Sequence, residues 1–187
     1  MIDASHPLTA DTALRPAVLT DAPELAAALL RSRAHMAPRE PARPQDFYTP
    51  QGQAERISGL LADRAGGRCM PWVLVDAEDR AIGSFTLSGI VLGPFRSGVL
   101  GYWVDARHNG RGLATAAVAR ICELARDELG LHRVEAGTML DNVASQRVLL
   151  KCGFEEYGMA PRMLHIAGEW RDHRLFQRIL HDGPPRA

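Results

Sequence analysis

A chain of 187 residues, 46% hydrophobic and 24% charged, fits one ordered globular domain over 1–187 and excludes a disordered or fibrous protein. Its 22 basic residues balance 22 acidic ones, so no global field draws it to nucleic acid or to an anionic membrane. No apolar run approaches the roughly 20 residues that span a bilayer, and the first residues lack the features of a secretion signal, so a cytoplasmic protein is expected.

Residues 1–12 are polar and weakly patterned and 182–187 contain two prolines, so both ends are expected to be loose. A short strand over 12–19 leads to Asp21, Pro23 and Glu24: a capping candidate, an early proline and an early acid that start a helix. Leu25, Leu29 and Leu30 should share its buried face. The pattern dissolves in the proline-rich stretch 38–44, and a second helix fits 50–64, ending at Gly66 and Gly67. The period then turns extended: strands over 72–75, 81–87 and 98–104, with turns at 76–79 and 93–94, suggest an antiparallel meander. From Leu113 the helical period returns, with Val118, Ile121, Ala125 and Leu129 on one stripe and Gly130 as the stop. A strand over 132–139, a helix over 143–152 stopped by Gly153, and strands over 162–166 and 170–180 complete an α/β (α+β) chain with a mixed sheet.

Cys69, Cys122 and Cys152 are odd in number, far apart and without a C-x-x-C pair, which points to reduced, packed thiols and away from disulfides and zinc. No metal is expected. Lys151 is the sole lysine beside 21 arginines, a bias that reads as the coding habit of a GC-rich bacterium.

The stretch Arg107-His-Asn-Gly110-Arg-Gly112 falls between a strand and a helix. Glycines there let the backbone reach positive φ, and the helix N-terminus behind them presents free N–H groups, which suits a phosphate. An ordinary turn fits the glycines equally well. A P-loop is excluded because no Gly-Lys-Ser/Thr follows. A dinucleotide fingerprint is disfavoured: its third position is Thr115, five residues part the strand from Gly110, and an antiparallel meander precedes it where a βαβ unit should open.

Two motifs together carry a family resemblance. Arg107-x-x-Gly110-x-Gly112 after an apolar strand resembles the acetyl-CoA loop of the GNAT acetyltransferases, and Asn142-x-x-Ser145 followed by Gly153-Phe154 resembles the signature downstream of it. Segments 32–41, 100–104, 131–134 and 166–173 narrow the likeness to the RimJ/RimL branch, nearest to RimJ-like enzymes, over roughly 14–180. The resemblance implies a GNAT fold, a mostly antiparallel sheet with helices on both faces, and direct transfer of acetyl from acetyl-CoA to a primary amine. It implies that Arg107, His108, Asn109, Gly110, Arg111, Gly112, Ala114 and Thr115 grip the pyrophosphate, that backbone N–H groups of Trp103 and Val104 face the thioester, and that Asn142 holds the pantetheine arm. A helix cap is the alternative role for Asn142. Ser145 is implied to supply the proton that the leaving thiolate takes. For the amine's proton, Glu40 and His35 are the candidates, with water as the alternative, since an α-amino group is partly neutral near pH 7. Phe95, Tyr102, Phe47 and Tyr48 are candidates to shape the acceptor pocket.

Two departures stand out. RimJ-like chains carry Pro-Trp-Glu-Pro where this one has Pro38-Arg39-Glu40-Pro41, and a RimL-like catalytic glutamate would fall at Leu164, which cannot act as a base. The acceptor expected is a protein N-terminus of the ribosomal-protein type; a small amine or antibiotic, or a non-catalytic acyl-CoA-binding role, is the alternative. No nucleic acid or membrane partner is expected, and the protein should be a monomer or homodimer.

Overall fold

The computed structural model describes residues 2–184. In chain order it contains β1 (His6–Pro7), β2 (Thr12–Pro16), α1 (Ala22–Met36), α2 (Pro50–Ala65), β3 (Met70–Asp76), β4 (Ala81–Val91), β5 (Ser97–Val104), α3 (Leu113–Asp127), β6 (Arg133–Met139), α4 (Val143–Lys151), β7 (Glu155–Ile166) and β8 (Glu169–Ile179). Short 3-10 turns occupy Leu19–Asp21, Gln45–Tyr48 and Ala106–His108. The strands form one sheet in the order β1-β2-β3-β4-β5-β6-β8-β7, antiparallel at every junction except β5–β6.

Local chemistry explains the boundaries. Pro23 enters the first turn of α1; Thr49 caps α2, its hydroxyl accepting from the Gly52 N–H at 3.1 Å, with Pro50 at the first helical position. Side chains alternate across a strand, so β3 feeds both faces: Trp72 and Leu74 pack with Val118, Ile121 and Leu149 of α3 and α4, while Val73 and Val75 pack with Leu25 and Ile57 of α1 and α2. Helices therefore cover both faces, and β3 reads as an unbroken apolar run because neither of its faces meets water.

Several expectations are corrected. Leu30 is exposed, because adjacent helical residues are turned by about 100° and Leu29 takes the inward place. Leu129 falls beyond α3 and only flanks the core. The strand expected over 12–19 ends at Pro16. Within the supposedly loose 1–12, His6 and Pro7 pair with Leu14 and Ala13, and Ile2 and Leu8 pack against the core. Met1 and 185–187 lie outside the described residues. Strand β7 starts at Glu155, not near 162: it is an edge strand exposed along nearly all its length, so it shows no alternation, and its register shifts between Ala160 and Leu164, beside Pro161 and the positive-φ Arg162. The β7–β8 turn runs through Ala167 and Gly168, both left-handed, as a two-residue hairpin demands.

Candidate active site

The parallel junction is short. β5 and β6 pair only at Ser97–Arg133, Gly98–Val134 and Val99–Glu135, and beyond them β6 pairs with β8 while β5 stays with β4. The strands splay there, and a groove of about 660 Å3 opens at their far ends. Which N–H groups face the gap follows from the ladder. The Asp105 N–H donates to the Ile82 carbonyl of β4 at 2.8 Å; alternation turns the Trp103 N–H toward β4 as well and the N–H groups of Val104 and Tyr102 toward the gap. Trp103 lines the groove, but its N–H is not a donor there.

After β5 the backbone turns through Ala106–His108 and enters α3. Gly110 and Gly112 have φ of 78° and 77°, and Gly112 is the N-cap of α3. A Cβ at either would stand in open space, so the left-handed backbone, not crowding, calls for glycine. The first helical hydrogen bond runs from the Ala116 N–H to the Gly112 carbonyl, leaving the N–H groups of Leu113, Ala114 and Thr115 free at the positive end of the helix. His108, Asn109, Gly110, Gly112, Ala114 and Thr115 all line the groove. Arg107 and Arg111 do not. Arg107 lines a separate polar hollow of about 230 Å3 with Arg31 and Asp105, and Arg111 is ion-paired with Asp11 at 3.0 Å.

From the other flank α4 contributes Asn142 and Ser145. Asn142 is the helix cap, its Oδ1 accepting from the Ser145 N–H at 3.2 Å, which leaves its amide NH2 to donate elsewhere. The Ser145 hydroxyl is 2.8 Å from the Tyr102 hydroxyl. Tyr102 stacks on Phe85 with ring centroids 5.4 Å apart, and burial pushes its phenol up to about 12. It stays protonated at neutral pH and belongs with Ser145 rather than with an acceptor pocket.

The opposite lip comes from the end of α1 and the loop after it: His35, Met36, Arg39 and Glu40. His35 Nε2 accepts from the Asn109 amide at 3.1 Å, tying this lip to the glycine loop. Burial raises the Glu40 pKa, against the pull of Arg43 and a hydrogen bond from Tyr48, and its Oε1 is buried without a partner. Phe95 is excluded from the site: it lies exposed in the β4–β5 turn, at the opposite end of β5 from Val104. Leu164 sits in β7 opposite Arg171, also away from the groove.

A family model for the acetyltransferase (GNAT) domain matches residues 12–155. The chain is a GNAT acetyltransferase. Among its relatives is the [ribosomal protein uS5]-alanine N-acetyltransferase of Escherichia coli, 30% identical over 166 residues that cover 88% of this chain and 86% of that one. A ribosomal-protein-S5-alanine acetyltransferase from Vibrio fischeri superimposes with a TM-score of 0.92 at 33% identity, covering 98% of this chain and all of the other. RimJ from Mycobacterium smegmatis, solved with CoA-disulfide, gives 0.85 at 33% identity over 90% of this chain and 81% of its own. These relatives put the GNAT domain in the RimJ/RimL branch.

Some parts of the GNAT groove are invisible in the sequence. Asp105 is fully buried and bonded by Arg31 Nη2 at 2.8 Å, by the Ser32 hydroxyl at 3.3 Å and by the Arg107 N–H at 3.1 Å, while the Ser32 oxygen accepts from the Ala106 N–H. Burial alone would raise the Asp105 pKa; the bonds outweigh it and hold the carboxyl below its usual range. This network pins α1 to the start of the glycine loop across 74 positions of sequence. Arg147 and Lys151, one helical turn apart on α4, also line the groove; the sequence signal for them is a basic i, i+4 pair in a helix with a motif serine. Cys152 is buried, its Sγ donating to the Thr115 carbonyl at 3.3 Å, and burial raises its pKa, so it is packing and not a nucleophile. Among the described residues no His, Cys, Asp and Glu side chains are grouped to hold a metal, and no helix is long and apolar enough to cross a membrane.

Proposed function

We propose that the protein is a cytoplasmic, acetyl-CoA-dependent Nα-acetyltransferase that modifies a polypeptide N-terminus, by direct transfer. The observation that carries this is the meeting, in one groove, of a left-handed glycine loop at a helix N-terminus and a Tyr102–Ser145 hydroxyl pair below a gap in the sheet. The free N–H groups of the first turn of α3, with those of the loop from Asn109 to Gly112, are suited to a pyrophosphate. The amide NH2 of Asn142 is free to bond a pantetheine amide. Activity of the E. coli relative on a protein alanine and the CoA bound by the mycobacterial one support donor and acceptor class alike.

The chemistry follows from charge. An amine attacking a thioester carbonyl forms an N–C bond and places negative charge on the carbonyl oxygen; the Val104 N–H is aimed to bond it. Glu40 would hold the ammonium and accept its proton, and its raised pKa suits a base better than an ordinary carboxylate would. As the C–S bond breaks, Ser145 donates to the sulfur, and Tyr102, a protonated phenol, supports the serine oxygen. No side chain needs to be a nucleophile.

Release of free CoA should be measured with peptides beginning in alanine or serine, with free amino acids, and with polyamine and aminoglycoside amines. Turnover should be fastest on the peptides. Faster turnover on any small amine would replace the acceptor, and thermal stabilisation by acetyl-CoA without turnover on any acceptor would make the protein a binding module.

A further inference from the structure

Most arginines of this protein are spoken for. Among the described residues eleven form ion pairs, from Arg15 with Asp21 to Arg174 with Glu156. Four others are concentrated in the acceptor lip and its support, and none forms a close ion pair: Arg33 on α1, Arg39 and Arg43 in the following loop, and Arg56 on α2; of these Arg43 is felt by an acid, Glu40. The segment does contain acids. Asp46 and Glu55 lie among them, yet neither forms an ion pair with any of the four, and Glu55 bonds Gln51 instead.

Their settings are those of groups held ready. Arg33 lies 4.6 Å over the Tyr48 ring and donates to Gln45; Arg43 lies 4.8 Å over the Phe47 ring. Stacking restrains a guanidinium in its plane and leaves its edge N–H groups to form the two-pronged bonds that carboxylates accept. Arg56 is half-buried with no acid beside it, and burial together with the charge of Arg43 works against its ionised form. Arg39 lines the groove next to Glu40, whose carboxylate carries the unpartnered Oε1. The lip thus presents one carboxylate suited to an ammonium and, beside it, cations suited to carboxylates.

Resting on the N-terminal reading above, we infer that the acceptor is a polypeptide whose first few residues after the reactive amine carry acidic side chains, received by Arg39 in the groove and Arg43 beside it while Glu40 receives the amine. Charge matching of this kind sets selectivity and encounter rate more than raw affinity.

The test is a set of peptides sharing an N-terminal alanine and differing only at positions 2 to 5, where Asp and Glu, Asn and Gln, or Lys are placed. With the intact protein kcat/KM should favour the acidic peptide over its amide isostere by about ten-fold, and the ratio should shrink at high salt as screening shortens. Arg39→Gln with Arg43→Gln should bring the ratio close to one, and Arg39→Glu should turn the preference toward the lysine peptide. Arg126→Gln, on the far end of α3, should leave the ratio as it was. Circular dichroism and the thermal shift given by acetyl-CoA separate a change of preference from loss of fold. Equal kcat/KM on acidic and amide peptides would overturn the inference and leave the N-terminal acceptor standing; turnover on small amines with none on any peptide would overturn both.

Discussion

On the proposed donor flank of the groove the work falls to the backbone: the Val104 N–H aimed by strand alternation, the left-handed Gly110 and Gly112, and the free first turn of α3. On the proposed acceptor flank the work falls to side chains, Glu40 with Arg39 and Arg43, carried on a loop between α1 and α2. Backbone positions tolerate most substitutions that respect φ, so a donor site can be common to a whole family. Side chains on a loop change one at a time, and Arg39, where the family resemblance leads one to expect tryptophan, is a position of that kind. The two flanks are nevertheless locked together, through Arg31 and Ser32 on Asp105 and through His35 on Asn109.

Substitutions can separate the flanks. The largest effect is expected where they meet: Ser145→Ala and Tyr102→Phe should each lower kcat by about 100-fold with little change in acetyl-CoA affinity, and the double variant should be little worse than the poorer single one, because the hydroxyls act as a unit. Steady-state kinetics with acetyl-CoA titrations will decide it, and additive losses would mean two independent roles. Asp105→Asn should cost about 2 kcal/mol, discounted from a fully buried pair because Arg31 is one-third exposed. Its pH signature has a definite sign. The folded pKa lies below the unfolded value, so the stability that Asp105 adds is present above about pH 4 and is lost as the pH falls through the folded pKa; the variant's denaturation midpoint should fall less steeply over that window. Gly112→Ala forces a Cβ into left-handed backbone, about 1–2 kcal/mol, and calorimetry should show weaker acetyl-CoA binding with acceptor selectivity intact. Glu40→Gln should do the reverse, lowering kcat/KM for the acceptor about 10-fold while acetyl-CoA binds as before. Smallest of all, Cys152→Ser should leave kcat within two-fold, roughly 0.4 kcal/mol, since nothing in the groove needs a thiol there.

The flanks also differ in how far the sequence discloses them. The helical stripe of α3, the two-faced apolar run of β3 and the glycines closing helices follow from period and backbone chemistry within a dozen residues, so they can be read directly. What escapes is long-range or phase-dependent. The Tyr102–Ser145 contact joins positions 43 apart and the Ser32–Asp105 bond positions 73 apart, and neither leaves a local trace. Trp103 and Val104 cannot both face the gap, because the ladder admits only one of two neighbouring N–H groups, and the motif alone does not say which. Residue type alone points Phe95 to the pocket, although it stands a full strand length away. Edge strand β7 hid its first half because water bathes both its faces. The arginines around the acceptor lip can be counted in the sequence, but that they stand outside ion pairs cannot.

The three residue pairs that join β5 to β6 make a pivot as well as a seam. Val104 lies five residues past the last of them, a lever of roughly 17 Å at about 3.3 Å per residue. A swing of some four degrees at the pivot then displaces the tip by about 1 Å, on the scale of a hydrogen bond's working range. At the far end of that lever Gly98 leaves only 3.1 Å between a would-be Cβ and the Leu87 side chain. A methyl group added there would have to displace the Leu87 side chain by a few tenths of an ångström, beside the seam and a strand's length from Val104.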